Sequence, residues 1–431
     1  MPDILHFLPV IKLAAAFIIM LAAIRCRINL GISIIAGAAT IALFFDLSPE
    51  LWAGTAVFAL SHPQTLMLSA IVLLILLLSD VLEKTGQTTR LMHAVSGHLR
   101  NPRLRLVFFP VLIGLLPMPG GAVFSAPMIG AVAEKMQLKD STLTALNYWF
   151  RHIWETWWPL YPGIILAASM SGVPIATICL LGLPGMLVMV ACGWYFLLRP
   201  AVLPLPEEFS DGKDAIPANS QYCMEKEGLP LLVAIAGAVF LETALSRLIP
   251  AIPFEVGIIV ALAAGLMTAM LQNKETIHIL KKALLRRHLW QMVLVIASIF
   301  IFKGVLDAAG VVKQLAKLGD DQVALTASTI ILPFCVGAVS GITMAYVGAT
   351  FPLIISLVAQ AGMQEYLPAY IVLAIFSGFT GIMATPLHIC FVLTCQYFRC
   401  SLGSAWRKIA PACLVLFCCG LAYHSLLLLS L

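Results

Sequence analysis

The chain has 431 residues, of which 61% are hydrophobic and only 11% are charged, and its formal net charge is +5. Soluble domains carry about 25% charged residues, so this composition excludes an ordinary water-soluble protein. The apolar runs are continuous rather than alternating, which excludes a transmembrane β-barrel and favours helices. We therefore predict an all-α polytopic membrane protein.

Ten apolar segments approach the length of about 20 residues that a helix needs to cross a bilayer. They are Phe7–Ile24, Ile28–Phe45, Thr65–Leu82, Ser141–Ser171, Pro174–Leu198, Leu229–Arg247, Ile252–Leu271, Leu289–Ala309, Pro368–Gln396 and Ile409–Leu429. Two further apolar stretches, 105–133 and 323–358, contain Gly/Pro-rich breaks and are predicted to form re-entrant hairpins. No cleavable signal sequence is evident, so we expect the first span to be retained.

Both halves of the chain show the same order of segments: three spans, a hairpin, one long broken span and a last span. Five crossings in each half is an odd number, so the second half is predicted to lie inverted relative to the first. The first repeat covers 1–199 and the second 229–431, with a polar cytoplasmic linker at 200–228.

The fourth and ninth spans, at 141–171 and 367–398, are too long for one straight crossing. About 30 helical residues extend about 45 Å, against about 30 Å of hydrocarbon, so each helix is predicted to break at mid-membrane. The residues that favour these breaks are Pro159, Pro162 and Gly163 in the first, and Gly378, Gly381 and Pro386 in the second.

The distribution of Lys and Arg predicts the orientation. With both termini outside, twenty of these residues fall on inner loops, against three on the outer side, Arg247, Lys313 and Lys317. This bias follows the positive-inside rule. The net positive charge is therefore interpreted as an orientation signal, and no nucleic-acid partner is expected.

The hairpin tips and the helix breaks are the candidate substrate site. Glycines let a backbone approach a solute closely, and N–H groups at helix N-termini favour anions. Small residues also line tight helix interfaces, so close packing is the alternative interpretation. The predicted substrate-binding residues are Pro119, Gly120, Gly121, Ser125, Tyr161, Gly163, Ser340, Gly341, Thr343, Thr380, Thr385 and His388.

A charged patch precedes the first break. Arg151 and Glu155 stand at i, i+4, and His152 and Glu155 at i, i+3, so they can pair on one helix face. Charges this far inside a span are costly unless paired or wetted. We expect Arg151 to attract an anionic substrate and His152 or Glu155 to carry a coupling proton. A self-neutralised pair that anchors the helix is the alternative.

Other polar residues in the spans carry less information. Glu242 lies alone within its span, and Lys303 with Asp307 forms an i, i+4 pair near a span end, so each is open to a functional or a structural interpretation. The eleven cysteines are scattered without metal-ligand spacing. We therefore predict no metal site and no cofactor.

Three segments, Leu116–Gly130, Asn147–Gly163 and Ala384–Phe398, resemble the DUF401 family of integral membrane proteins. That family is grouped with the ion-transporter superfamily, which includes gluconate permeases, citrate–metal symporters and the arsenite efflux permease. The resemblance implies a mobile transport domain built from the hairpins and broken helices. It also implies a dimeric scaffold and elevator-type motion in the inner membrane of a prokaryote.

Carried over by position, the tips are Pro119–Ser125 and Ser340–Thr343, and the unwound segments are Trp158–Gly163 and Ser377–Pro386. Neither tip has the Ser-Asn-Thr of sodium/dicarboxylate relatives. This departure weighs against Na⁺ coupling and dicarboxylate recognition.

The sequence thus predicts a secondary active transporter for a small, anionic organic solute such as a carboxylate, coupled to H⁺ or Na⁺. The first alternative is a channel or an ATPase-assisted efflux permease, although the chain has no P-loop of its own. The second is a polytopic membrane enzyme, for which no HExxH or GxSxG motif is present. We expect that the protein is not an enzyme.

Overall fold

The computed structural model describes residues 8–96, 99, 101–115, 117, 121–134, 136–205, 223–249, 252–273, 275–316 and 322–430. Pro119, Gly120, most of the predicted linker and the side chain of Glu242 lie outside the described residues. The described elements are helical throughout.

The first half contains ten α-helices, several of them interrupted or short. These are α1 (Leu8–Arg25), α2 (Leu30–Phe44), α3 (Pro49–Ser61), α4 (Pro63–Lys84), α5 (Gln87–Ser96), α6 (Pro102–Gly114), α7 (Ala122–Ala133), α8 (Asp140–Arg151), α9 (Pro162–Ser171) and α10 (Ile175–Gly193). A π-helical turn, Trp194–Leu198, extends α10.

The second half contains ten more. These are α11 (Met224–Leu248), α12 (Phe254–Gln272), α13 (Thr276–Leu284), α14 (Arg287–Ala308), α15 (Val311–Ala316), α16 (Gln322–Ser340), α17 (Thr343–Gln360), α18 (Leu367–Ala384), α19 (Ile389–Tyr397) and α20 (Leu402–Ser430). A short 3₁₀ turn, Gln364–Tyr366, leads into α18.

The protein is an all-α polytopic membrane protein, as predicted. Within the described ranges, nine helical segments are long and apolar enough to cross a membrane. Large apolar side chains also remain exposed on the outside of the bundle, among them Phe58, Phe240 and Leu271. Such an apolar surface suits lipid rather than water.

Most predicted spans coincide with helices to within a few residues, but four short helices outside them, α3, α5, α13 and α15, were not anticipated. Ser48 caps the N-terminus of helix α3, since its hydroxyl accepts from the Leu51 N–H at 3.3 Å, and the helix packs against α14. Helix α13 carries Lys281 and Lys282 in its last turn. Cationic side chains at that end complement the helix dipole.

The first long span is broken, and its break begins earlier than predicted. Helix α8 ends at Arg151, residues His152–Tyr161 form turns, and α9 starts at Pro162. Neighbouring glycines make room for this backbone, since a Cβ at Gly114 would clash with the Arg151 carbonyl, and one at Gly182 with that of Thr156. Tertiary contacts, rather than the local prolines, therefore determine where α8 ends.

The second broken span is interrupted over fewer residues than predicted. Helix α18 continues through Gly378 and Gly381 to Ala384, and only Thr385–His388 are non-helical. Thr385 precedes Pro386 and has the extended backbone (φ −81°, ψ 134°) that a following proline imposes. The two glycines serve packing instead, because a Cβ at Gly378 would clash with the Tyr346 ring and one at Gly381 with the Phe334 carbonyl.

The two halves exchange their packing partners reciprocally. Helix α9, the second part of the first broken span, packs against α17 of the other half. Helix α19, the second part of the second broken span, packs against α7 of the first half. This exchange brings both breaks to the centre of the bundle.

Candidate functional site

A cavity of about 200 Å³ lies where both breaks meet the loop between α16 and α17. Its lining residues come from six places along the chain. They are Val72 and Leu76; Pro117; Arg151, His152, Glu155, Tyr161, Pro162 and Gly163; His288 and Met292; Gly341, Ile342, Thr343 and Met344; and His388, Ile389 and Cys390.

Arg151 brings a buried positive charge to this cavity from the last turn of α8. Its side chain is only 3% exposed, and Nη1 donates a hydrogen bond to the Cys390 Sγ at 3.2 Å. A Cβ added at Gly121 would lie 2.5 Å from Nη2, so the guanidinium rests directly against the backbone at the start of α7.

Glu155 connects the first break to the second half. Its Oε2 accepts a hydrogen bond from the Thr343 hydroxyl at 2.8 Å, and its Oε1 lies 3.7 Å from the His152 Nε2. Gly163 allows the approach, since a Cβ there would clash with the Thr343 side chain. One carboxylate thus links the broken helix of the first half to the N-terminus of α17.

The His152 ring has a defined tautomer. Its Nδ1 lies 2.6 Å from the Tyr148 carbonyl oxygen, which only accepts, so Nδ1 carries the proton and donates it. The Nε2 therefore presents a lone pair toward the cavity. Helix α8 ends at Arg151, so the Arg151–Glu155 alignment expected from an i, i+4 helical spacing does not apply.

His388 faces His152 across the cavity. The two ring centroids are 4.9 Å apart at 89°, and Tyr148 packs against both rings. His388 occupies the N-cap position of α19. Gly341 lies over it with φ +64°, and a Cβ there would be 3.3 Å from the His388 Cα. The positive φ and the close approach together explain the glycine.

Eight of the residues predicted from sequence line this single cavity. They are Arg151, His152, Glu155, Tyr161, Gly163, Gly341, Thr343 and His388. Gly121 contacts the site through Arg151. Pro119 and Gly120 cannot be placed, because they lie outside the described part of the chain.

The other four hydroxyl residues lie outside the lining of this cavity. Among the described residues, the hydroxyl of Ser125 donates only to the carbonyls of Gly121 and Ala122 at the start of its own helix, and Thr380 is buried inside α18. Ser340 and Thr385 accept from the backbone N–H two residues further on, Ile342 and Leu387, each at 3.3 Å. These two hydroxyls shape the loops rather than the cavity wall.

Three notable lining residues were missed by sequence reasoning: Cys390, His288 and Met292. Cys390 stands two residues after His388 in a segment already singled out, so this proximity was the one available signal. His288 and Met292 come from α14, which showed no break and no buried charge pattern at that end. Their role depends on packing that the linear sequence does not display.

A second cavity of about 230 Å³ adjoins the first and shares Leu76 and His288 with it. Its wall is charged: Asp80 accepts from Arg286 Nη1 at 3.3 Å and from Lys84 Nζ at 2.8 Å, and Glu83 lies beside them. These residues lie near the ends of α4 and α14. The shared residues place the two cavities side by side.

A family model for proteins of unknown function, DUF401, matches residues 9–212 and 230–426, which is most of the chain. No curated protein gives a significant match. The match agrees with the resemblance seen in the three segments, and it assigns no function to the chain.

Proposed function

The chain belongs to the DUF401 family, a family of unknown function. From the site itself we propose that the protein is a secondary active transporter for a small anionic organic solute. One observation carries this proposal. Both helix breaks and the α16–α17 loop converge on one cavity that is buried among helices able to span a membrane. Non-helical backbone at membrane depth is tolerated where it is buried in protein or lines a cavity, and this arrangement is typical of secondary transporters.

The reciprocal packing of α9 on α17 and of α19 on α7 supports two inverted repeats. In this proposal α6–α7 and α16–α17 are the hairpins of the two repeats. Helices α6 and α7 have 13 and 12 residues, which is too short for full crossings. Helices α16 and α17 have 19 and 18 residues, so each is long enough to cross, and their re-entry is part of the proposal.

An anionic solute suits the charges and dipoles of the cavity. Arg151 supplies a buried guanidinium, and α9 and α19 begin at the cavity wall with Pro162 and Ile389. Helix N-termini carry partial positive charge, so three features favour a carboxylate or a related oxyanion. The volume of about 200 Å³ is below the range of about 300–1,000 Å³ that is usual for drug-sized ligands, which indicates a small solute.

The coupling ion in this proposal is a proton, with Na⁺ as the alternative. Glu155 and His152 are ionisable, buried and 3.7 Å apart at the cavity wall. Protonation of Glu155 changes the 2.8 Å hydrogen bond that its Oε2 accepts from Thr343 of the other half. This contact between the two halves therefore depends on protonation, and so does the elevator motion of the domain that contains both residues.

The remaining features complete the proposal. The positive-inside bias favours both termini outside, and the charged second cavity then faces the cytoplasm. Location in a prokaryotic inner membrane, a homodimeric scaffold and elevator motion follow from the family resemblance. Each of these is separable from the transport activity itself.

Uptake by purified protein in liposomes tests the proposal. Proteoliposomes receive an imposed pH or Na⁺ gradient and a panel of radiolabelled carboxylates and sugar acids. We expect gradient-driven accumulation of at least one anion by the wild type and by Ser125→Ala, whose hydroxyl does not line the cavity. Arg151→Gln should show none.

Absence of uptake across the panel under every gradient would contradict the proposal. Flux that is independent of any gradient would instead favour a channel. Activity that appears only with a co-purified ATPase would favour an assisted efflux permease.

A further inference from the structure

The cavity contains a cluster of three buried metal-binding side chains, His152, His388 and Cys390. One donor atom from each residue lies within 4.8 Å of the other two, and the three side chains are at most 5% exposed. In the sequence they are far from any metal-binding spacing, since His152 is more than 230 residues from the other two. Only the meeting of the two breaks assembles them.

Two nitrogens of this cluster are buried without a well-formed hydrogen bond among the described residues. They are Nε2 of His152 and Nδ1 of His388. Buried polar atoms are almost always satisfied by protein, water or an ion, so each unsatisfied one calls for an explanation. A single cation bound between the two facing rings, beside the thiol, would satisfy both nitrogens.

His152 is also held in the manner of a metal ligand. Its Nδ1–H donates to the Tyr148 carbonyl at 2.6 Å, which orients the ring and leaves Nε2 as the donor atom. Metal-ligating histidines almost always donate their other N–H to a carboxylate, a carbonyl or water in this way. Glu155 Oε1, 3.7 Å from that Nε2, is placed to complete a four-coordinate site.

We propose that His152, His388 and Cys390 bind a transition-metal ion of the Zn²⁺ type in the transport cavity. Two imidazoles and a thiolate form the borderline-soft donor set that suits Zn²⁺ or Co²⁺ and disfavours Mg²⁺ and Ca²⁺. Tetrahedral ligands at about 2.0–2.3 Å from zinc lie roughly 3.5 Å apart, so the side chains close by about 1 Å on binding. Cys390 binds as a thiolate and releases its proton to solvent.

The charge balance of the occupied site is favourable. Arg151 donates to the Cys390 sulfur at 3.2 Å, and Glu155 adds a carboxylate. A divalent ion then gives the cluster a net positive charge, which strengthens its attraction for an anionic solute. A metal ion held beside the solute in the transport cavity would move with it as cargo; this last step rests on the proposed function, whereas metal binding does not.

Metal binding is tested on the purified full chain in detergent without any solute. Titration with Co²⁺ should produce a thiolate-to-cobalt charge-transfer band at one ion per chain, and Zn²⁺ should bleach it. Mg²⁺ should produce no change. Cys390→Ser should abolish the band. His152→Asn or His388→Asn should weaken Zn²⁺ binding by about 100-fold, because loss of a residue that only hydrogen-bonds to a metal ligand already costs about 10–100-fold.

Two matched controls keep the test specific. Cys395→Ser removes another buried thiol of α19, and His424→Gln removes a buried histidine of α20. Both should bind cobalt like the wild type, and the thermal stability of every variant should be recorded to show that it folds. Wild type without the charge-transfer band, or a band that survives Cys390→Ser, would overturn the proposed site.

Uptake of radioactive Zn²⁺ by proteoliposomes separates this inference from the transport proposal. Metal binding without anion transport would leave the site standing and sink the proposed function. Anion transport without metal binding would support the proposed function and overturn the metal site. If the protein binds metal and takes up the anion but not Zn²⁺, the metal site stands, but the metal is not transported with the solute.

Discussion

The two broken helices occupy corresponding places in the two halves, but they differ in length and chemistry. The first break, His152–Tyr161, spans ten residues and is flanked by Arg151, whereas the second, Thr385–His388, spans four. The first broken helix contributes Arg151, His152 and Glu155 to the cavity, and the second contributes His388 and Cys390. Similar topology therefore coexists with different chemistry, because both charged side chains come from the first broken helix, whereas each broken helix supplies a histidine.

The longer break needs more support from the rest of the protein. Trp154 Nε1 donates to the Val111 carbonyl at 2.7 Å, and the Thr156 hydroxyl donates to the Gly182 carbonyl at 3.2 Å. At the shorter break, Trp406 Nε1 donates a hydrogen bond to the Ala384 carbonyl at 2.7 Å. Non-helical backbone inside a membrane is stable only with such partners, so a longer irregular segment is more dependent on its neighbours.

Replacing Arg151 should have the largest effect, because it removes the main charge of the first break. Arg151→Gln is expected to lower solute affinity by about 30-fold or more, since loss of one partner of a buried charge pair costs about 2–5 kcal/mol. Binding to purified protein, measured by calorimetry or thermal shift, checks this.

Arg199→Gln, at the end of the π-helical turn and outside the cavity, is the matched control and should bind normally. Equal losses in both variants would show that the charge of Arg151 has no special role in recognition.

Glu155→Gln should separate coupling from binding. The amide keeps the shape and can still accept from Thr343, but it cannot exchange a proton. We expect gradient-driven accumulation to fall about tenfold or more while exchange of internal for external solute continues. The uptake that remains should depend less on the imposed pH gradient than wild-type uptake does. Unchanged accumulation would exclude Glu155 as the coupling group.

Thr343→Val tests the link between the halves. Valine keeps the shape of threonine but removes the hydroxyl that donates to Glu155 at 2.8 Å. Hydrogen bonds to charged groups contribute about 1.5–3 kcal/mol, so transport should fall by roughly tenfold or more.

The corresponding change in the second break, Thr385→Val, loses only a local bond to the Leu387 N–H and should reduce transport about twofold to threefold. A larger loss for Thr385→Val than for Thr343→Val would show that the Thr343–Glu155 hydrogen bond is not the critical link between the halves.

Gly341→Ala should have the smallest effect of the series. An L residue at φ +64° costs about 1–2 kcal/mol, and the added Cβ would lie 3.3 Å from the His388 Cα. The melting temperature of the purified protein should drop by a few degrees, by about 2–4 °C per kcal/mol.

Gly54→Ala is the control for this substitution, because nothing lies within 4 Å of a Cβ at Gly54 in helix α3. It should be neutral or slightly stabilising, since alanine favours helix over glycine by about 1 kcal/mol. A similar destabilisation by both alanines would show that the left-handed conformation at 341 is not the cause.

Local sequence was sufficient to predict the helical membrane class and the existence of both breaks. Apolar runs of about 20 residues and clustered Gly and Pro are local signals, because backbone hydrogen bonding in lipid leaves few alternatives to a helix. The same reasoning placed Arg151, Glu155, Thr343 and His388 among the candidates, and all four line the cavity.

Which residues of different helices lie close together could not be predicted from the sequence, because it depends on how the helices pack. The end of α8 at Arg151 depends on Gly114 and Gly182 of other helices, and the interior glycines of α18 pack helices rather than break them. Cys390 joins His152 only because α19 packs against α8. Composition and periodicity report what each segment prefers on its own, whereas a site made from residues hundreds of positions apart depends on which segments come to touch.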